Sequence, residues 1–273
     1  VPMNDLESAL IPLRLRDQRA VLVRVASTQG SVPREAGTGM VVFADAVFGT
    51  IGGGQLEHQA IARARERLGR ATGEPDGLRV PLGPGLGQCC GGVVVLQFED
   101  LQAADAPDLA ARLAPPLLPV ALFGGGHVGR ALVQALAPLP YSVTWIDSRD
   151  EIFPQQLPAR VHCEHSDPVQ AAVADLTPGS QVLIMSFSHA EDLDIVAACL
   201  RRRRERADLP FIGLIGSRTK WATFRHRLQD RGFSPEELAA VTCPIGLPGI
   251  AGKEPEVIAA SVAAQLLMLR STA

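Results

Sequence analysis

Short apolar runs separated by glycine- and proline-rich segments make up most of the chain, and the spacing inside each run sets the element it predicts. Leu6, Leu10 and Leu13 recur at helical spacing behind Asn4-Asp5-Leu6-Glu7, a capping-box pattern. They predict a short first helix with those leucines as its apolar stripe. The β-branched run Ala20 to Ala26 reads as a strand, and Gly39 to Phe43 and Val47 to Ile51, joined by Ala44-Asp45-Ala46, read as a hairpin. Leu56, Ala60, Ala64 and Leu68 form one stripe of a helix from Gln55 to Leu68, and Gly92 to Phe98 is a further apolar strand.

After residue 116 the pattern changes to strands alternating with helices. Val120-Ala121-Leu122-Phe123 is a buried-strand run that breaks into Gly124-Gly125-Gly126-His127-Val128-Gly129, with Gly124, Gly126 and Gly129 on the G-x-G-x-x-G spacing. The first glycine permits a tight turn, the second lets a phosphate approach the backbone, and the third lets helix and strand pack closely. Ser142 to Asp147 reads as the next strand and ends in an acid at the distance where a ribose hydroxyl is often held. Val161-His162-Cys163, Gln181 to Met185 and Phe211 to Gly216 supply further strands, with helices at Leu193 to Leu200, after Ser217, and from Pro255 to Leu269. The expected fold class is α/β: a small N-terminal mixed α/β domain followed by a Rossmann-like parallel-sheet domain. The expected boundaries are residues 1–103, a linker rich in Ala, Pro and Asp at 104–116, and 117–273.

With 47% hydrophobic residues in 273, the chain can bury roughly two cores, and no apolar run is long enough for a membrane span. Asp5 and Glu7 close behind Met3 do not suit a signal peptide, and five cysteines, two of them adjacent, do not suit a disulfide framework. A reducing cytoplasmic setting is expected. A net charge of -3 argues against a nucleic-acid partner. Arg201 to Arg204 fit that view as the basic end of a helix in a chain whose only lysines are Lys220 and Lys253.

Several residues carry candidate chemistry. Arg34, in the loop Gly30-Ser31-Val32-Pro33-Arg34, either clamps an anionic ligand or pairs with Glu35 at the surface. Gly52, Gly53 and Gly54 precede a helix and form a second possible anion nest. The segment Pro81 to Gly92 holds Gln88, Cys89 and Cys90 among glycines and prolines, and thiols on such a loop suit a soft metal or a partner's sulfur chemistry better than core filling. His58 lies off its helix stripe and reads as a surface histidine. Arg149 either holds a phosphate or is a solvated loop charge, and His189 and Asp192 either act on a ligand or cap a helix. Arg218 and Lys220 fall in a helix's first turn, and Arg130 sits similarly early, which points to a phosphate-bearing ligand near those helix starts.

The motifs Gly30 to Arg34, Gly49-Thr50-Ile51-Gly52-Gly53-Gly54-Gln55-Leu56-Glu57, Pro81 to Pro84 with Gln88 to Gly92, Gly124 to Gly129, and Cys243 to Lys253 occur in an order that resembles the XdhC/CoxI family. The resemblance implies a molybdenum-cofactor chaperone. It would bind molybdopterin, protect it, cooperate with a cysteine desulfurase during sulfuration and deliver the cofactor to xanthine dehydrogenase, as a homodimer and without turnover of its own. The residues expected to bind the cofactor are Arg34, Gly52, Gly53, Gly54, Gln88, Cys89, Cys90, Gly124, Gly126, His127, Gly129, Asp147, Arg149, His189, Ser217 and Lys220, with Cys89 and Cys90 toward the metal. The family commonly carries a Thr-His-x-His sequence after the fourth strand, where this chain has Ser186-Phe187-Ser188-His189 and keeps only the second histidine. The competing expectation is an NAD(P)-dependent oxidoreductase that uses the glycine loop and Asp147 as a dinucleotide site and His189 as proton donor.

Overall fold

The computed structural model describes residues 5–70, 76–82, 92–113 and 117–270, and divides into two compact units, 1–115 and 116–273.

The first unit is built on a five-stranded antiparallel sheet in the order β3-β2-β1-β5-β4. Its strands are β1 (Ala20–Gln29), β2 (Gly39–Val42), β3 (Val47–Gly49), β4 (Asp76–Pro81) and β5 (Val93–Leu101). β2 and β3 pair as the hairpin expected from their spacing, with Met40 opposite Gly49. β4 is short, with an alternation limited to Leu78-Arg79-Val80. It is an edge strand ending in Pro81, where a missing N–H costs nothing. Helix α2 (Gly54–Leu68) buries Leu56, Ala60 and Ala64 against one sheet face.

Helix α1 (Asp5–Leu15) departs from expectation. Leu10 and Leu13 are exposed, whereas Ile11 and Leu15 are buried with Leu22, Val41 and Phe43 on the other sheet face. The segment carries two apolar faces, and local spacing does not say which one meets the sheet. Asn4 of the expected capping box lies outside the described residues. The linker expected at 104–116 contains a short 3-10 turn and helix α3 (Ala106–Leu113), whose Leu109 joins the cluster around Ile11 and Leu15.

The second unit is a six-stranded, wholly parallel sheet ordered β11-β10-β9-β6-β7-β8. Its strands are β6 (Leu118–Phe123), β7 (Tyr141–Asp147), β8 (Val161–His165), β9 (Gln181–Ile184), β10 (Phe211–Leu214) and β11 (Val241–Thr242). Counting β6 as first, this is the Rossmann order 3-2-1-4-5-6, with the switch point between β6 and β9. Helices α4 (His127–Leu136) and α8 (Pro255–Arg270) cover one face. α5 (His189–Arg206), α6 (Arg218–Asp230) and α7 (Pro235–Leu238) cover the other. β11 has only two residues, too few to register as a run. Both faces are buried, which is why the strands read as continuous apolar stretches rather than alternating ones.

Candidate functional site

In the first unit, three of the glycine-bearing motifs meet at one end of the sheet. A Cβ on Gly52 would stand 2.9 Å from the Pro33 side chain, and one on Gly92 would stand 2.5 Å from the Ser31 carbonyl oxygen. Leu82 N–H donates to the Gly92 carbonyl at 2.7 Å, so the chain enters and leaves the Gln88-Cys89-Cys90 segment beside the Ser31-to-Arg34 loop. Gln88, Cys89 and Cys90 themselves lie outside the described residues. Arg34 has no ion-pair partner among the described residues, so the expected alternative of pairing with Glu35 is not what this loop does.

The glycine nest at the start of α2 already holds an anion of its own. Glu57 Oε2 accepts from Ile51 N at 3.0 Å, from Gly53 N at 3.1 Å and from the Thr50 hydroxyl, while Gly52 N–H donates to Thr50 Oγ1 at 3.1 Å. Burial works to raise the Glu57 pKa, but these donors outweigh it and hold the carboxyl below its ordinary value. Sequence reading missed Glu57. Its signal was an acid in the first helical turn behind three glycines with positive φ.

In the second unit the candidate residues gather at the carboxyl ends of the strands. Gly124 (φ +123) brings the end of β6 against β9, and a Cβ there would lie 2.0 Å from the Met185 carbonyl oxygen. A Cβ on Gly129 would lie 2.0 Å from the Gly124 carbonyl oxygen, so the third glycine seats α4 on the loop. Trp145 Nε1–H donates to that same carbonyl at 2.9 Å. Gly126 is different: its φ is -68 and a Cβ would meet nothing within 4 Å. The loop is therefore packed tightly below and open at its second glycine, the position where a phosphate would approach.

The helix starts at this edge are not equivalent. Ser188 Oγ accepts from Glu191 N–H and caps α5, and Ser217 Oγ accepts from Lys220 N–H and caps α6. α4 begins on Gly126 with no side-chain cap, leaving its first N–H groups to an external acceptor. His127, the first residue of α4, is exposed, and Arg130 donates to the Ile152 carbonyl at 3.0 Å.

Three candidate charges of the crevice, Asp147, Arg149 and Lys220, are committed to internal partners. Asp147, 2% exposed, accepts from Gly125 N–H at 2.6 Å, from Arg149 N–H at 2.9 Å, and from Arg149 Nε and Nη2 at 2.8 and 2.9 Å. Burial pushes its pKa up, but the Arg149 guanidinium and the two backbone donors outweigh that and hold it below the usual carboxylate range. Lys220 Nζ donates to Asp192 Oδ2 at 2.6 Å and to the Ile215 carbonyl at 2.9 Å. Asp192 Oδ1 in turn takes the N–H and hydroxyl of Ser186. Asp192 thus pins the ends of β9 and β10 together, while the side-chain cap of α5 comes from Ser188. His189 is exposed at the start of α5, its ring edge-on to Phe224. Among the described residues no group of three or more His, Cys, Asp or Glu is arranged to hold a metal ion.

A doubly wound parallel sheet with a glycine loop and an uncapped helix start at its switch point defines a Rossmann-type module, which follows an antiparallel-sheet unit in the chain. The comparisons narrow this to a family. The family described as the XdhC Rossmann domain matches residues 120–266, and that described as the XdhC and CoxI family matches 13–79. The chain belongs to the XdhC family. It is 26% identical over 262 residues to YqeB of Escherichia coli (strain K12), covering 92% of this chain and 44% of YqeB, so it spans less than half the length of that curated relative. The crystal structure of a xanthine dehydrogenase from Bacillus halodurans superposes with a TM-score of 0.76 at 19% identity, over 97% of this chain and 96% of that one, and shows the same fold. A Rossmann-fold NAD(P)-binding family protein from Shigella flexneri covers 54% of this chain with a TM-score of 0.37.

Proposed function

We propose that this protein carries the molybdenum cofactor in the maturation of xanthine dehydrogenase, binding its molybdopterin form, shielding it while a cysteine desulfurase supplies sulfur, and passing it on. Membership of the XdhC family supports the maturation role. The observation that carries the cofactor-binding part is the start of α4, where uncapped N–H groups face a glycine with open space around it. A pterin phosphate fits that cradle. In this reading the main-chain N–H groups of His127, Val128 and Gly129 receive the phosphate. Asp147 keeps the loop in shape by holding Gly125 N–H.

In the first unit this reading gives Arg34 to an anionic group, and takes Cys89 and Cys90 as the thiols for the metal. When bound, the cofactor supplies the redox and sulfido chemistry of molybdenum. Gly52, Gly53 and Gly54 serve by shape, because the N–H groups of Gly52 and Gly53 are taken by Thr50 and Glu57. Ser217 and Lys220 serve as frame, one capping α6 and the other held by Asp192. A homodimer in the cytoplasm belongs to the same reading. No helix among the described residues is long and apolar enough to cross a membrane.

No observation favours the oxidoreductase alternative, and Asp147, the acid on which it rests, is held by four internal donors. The test is to purify the protein from a molybdate-fed host, oxidise it and measure pterin fluorescence and molybdenum. Stoichiometric pterin is expected, reduced in Gly126→Val, with molybdenum retention reduced in Cys89→Ala and Cys90→Ala. Pterin absent from the wild type, or unchanged in all three variants, overturns the reading.

A further inference from the structure

Phe187 is the most exposed large apolar side chain among the described residues, at 68%, and it stands on the loop that follows β9 at the switch point. The surrounding contacts hold it in place from two sides. Its N–H donates to Glu191 Oε2 at 3.2 Å, and Glu191 Oε1 accepts from the Ser148 hydroxyl at 2.8 Å, so the loops after β7 and β9 are tied together. The Arg149 guanidinium carbon lies 4.4 Å from the centre of the Phe187 ring, and Arg149 is itself clamped by both oxygens of Asp147. Asp147 holds Gly125 N–H, so an unbroken chain of contacts runs from the glycine loop through Asp147 and Arg149 to one face of the phenyl ring.

Arg149 covers one face of the ring and the exposure leaves the other to solvent. An aromatic face costs free energy in water, and a ring held from behind by a cation offers its other face to a flat partner. We propose that Phe187, backed by Arg149, is the stacking platform for a planar nitrogen heterocycle whose phosphate sits at the start of α4. The platform is a specificity element that accepts a flat ring such as a pterin or a purine. The identity of the heterocycle rests on the carrier reading above; the platform does not.

The experiment titrates wild type, Phe187→Ala and Phe187→Tyr with the oxidised fluorescent pterin phosphate derived from molybdopterin and, separately, with AMP, following anisotropy or heat. Stacking on an aromatic side chain predicts that Phe187→Ala weakens binding about 5- to 100-fold and that Phe187→Tyr stays close to wild type. If the pterin phosphate binds wild type and Phe187→Ala equally well, the platform is overturned and the carrier reading stands. If AMP alone binds, with the same Phe187 dependence, the platform stands and the carrier reading falls. If neither ligand binds any of the three proteins, both fail.

Discussion

Two glycines of one loop sit in opposite surroundings, and substitution should separate them. Gly124 has φ +123 and no room for a Cβ, so Gly124→Ala combines backbone strain with a clash against Met185 and should cost about 2–4 kcal/mol, read as a fall in the denaturant midpoint. Gly126 has an ordinary φ and open space, so Gly126→Ala should cost less than about 1 kcal/mol. A large loss at Gly126 would mean that the position serves the fold and not a ligand. The tight packing at Gly124 was legible in the sequence because the G-x-G-x-x-G spacing states a purely local steric demand. Glu57 was not, since an acid acquires its meaning from the N–H groups that the folded turn aims at it. Its folded pKa is depressed, so its contribution is present above its ordinary value of 4.5 and is lost as pH falls below that toward the folded value. Glu57→Gln should therefore flatten the acid side of the stability profile of the first unit, and a variant profile parallel to wild type down to pH 3 would rule this role out.

At the scale of elements, the parallel sheet is held at the carboxyl ends of its strands by buried charge. Asp192 and Lys220 are 3% and 11% exposed and link α5 to α6. Removing one partner leaves the other charge buried and unpaired, so Asp192→Asn or Lys220→Met should cost about 3–5 kcal/mol. The double change Asp192→Asn with Lys220→Met should cost much less than the two added together. Additive losses in that double-mutant cycle would show that the two side chains do not interact. A comparable anchor closes the far end of α5, where Arg202, 5% exposed, binds Asp208 and the carbonyls of Val173 and Leu176. Residues 201–204 read as a plain solvated basic run, and only the fold draws one of the four arginines inside. The same limit applies to α1, where two apolar faces were available, and to β11, where a two-residue strand leaves no period to read.

At the scale of the molecule, the second unit owns complete hydrophobic clusters on both faces of its sheet. A fragment spanning 116–273 should therefore fold alone, with a cooperative thermal transition and near-ultraviolet signal from buried Trp145. A gradual, non-cooperative melt would show instead that its core depends on the first unit. The sequence by itself determined the order of most elements, the parallel character of the second sheet and the glycine loop at its switch point. Periodicity, β-branching and glycine spacing are properties of neighbours along the chain. The tertiary structure alone decided which helix start is left open and which cations and acids are already taken. Those outcomes turn on pairs such as Gly125 with Asp147, Arg149 with Phe187 and Lys220 with Asp192, which chain folding brings together and local spacing does not encode.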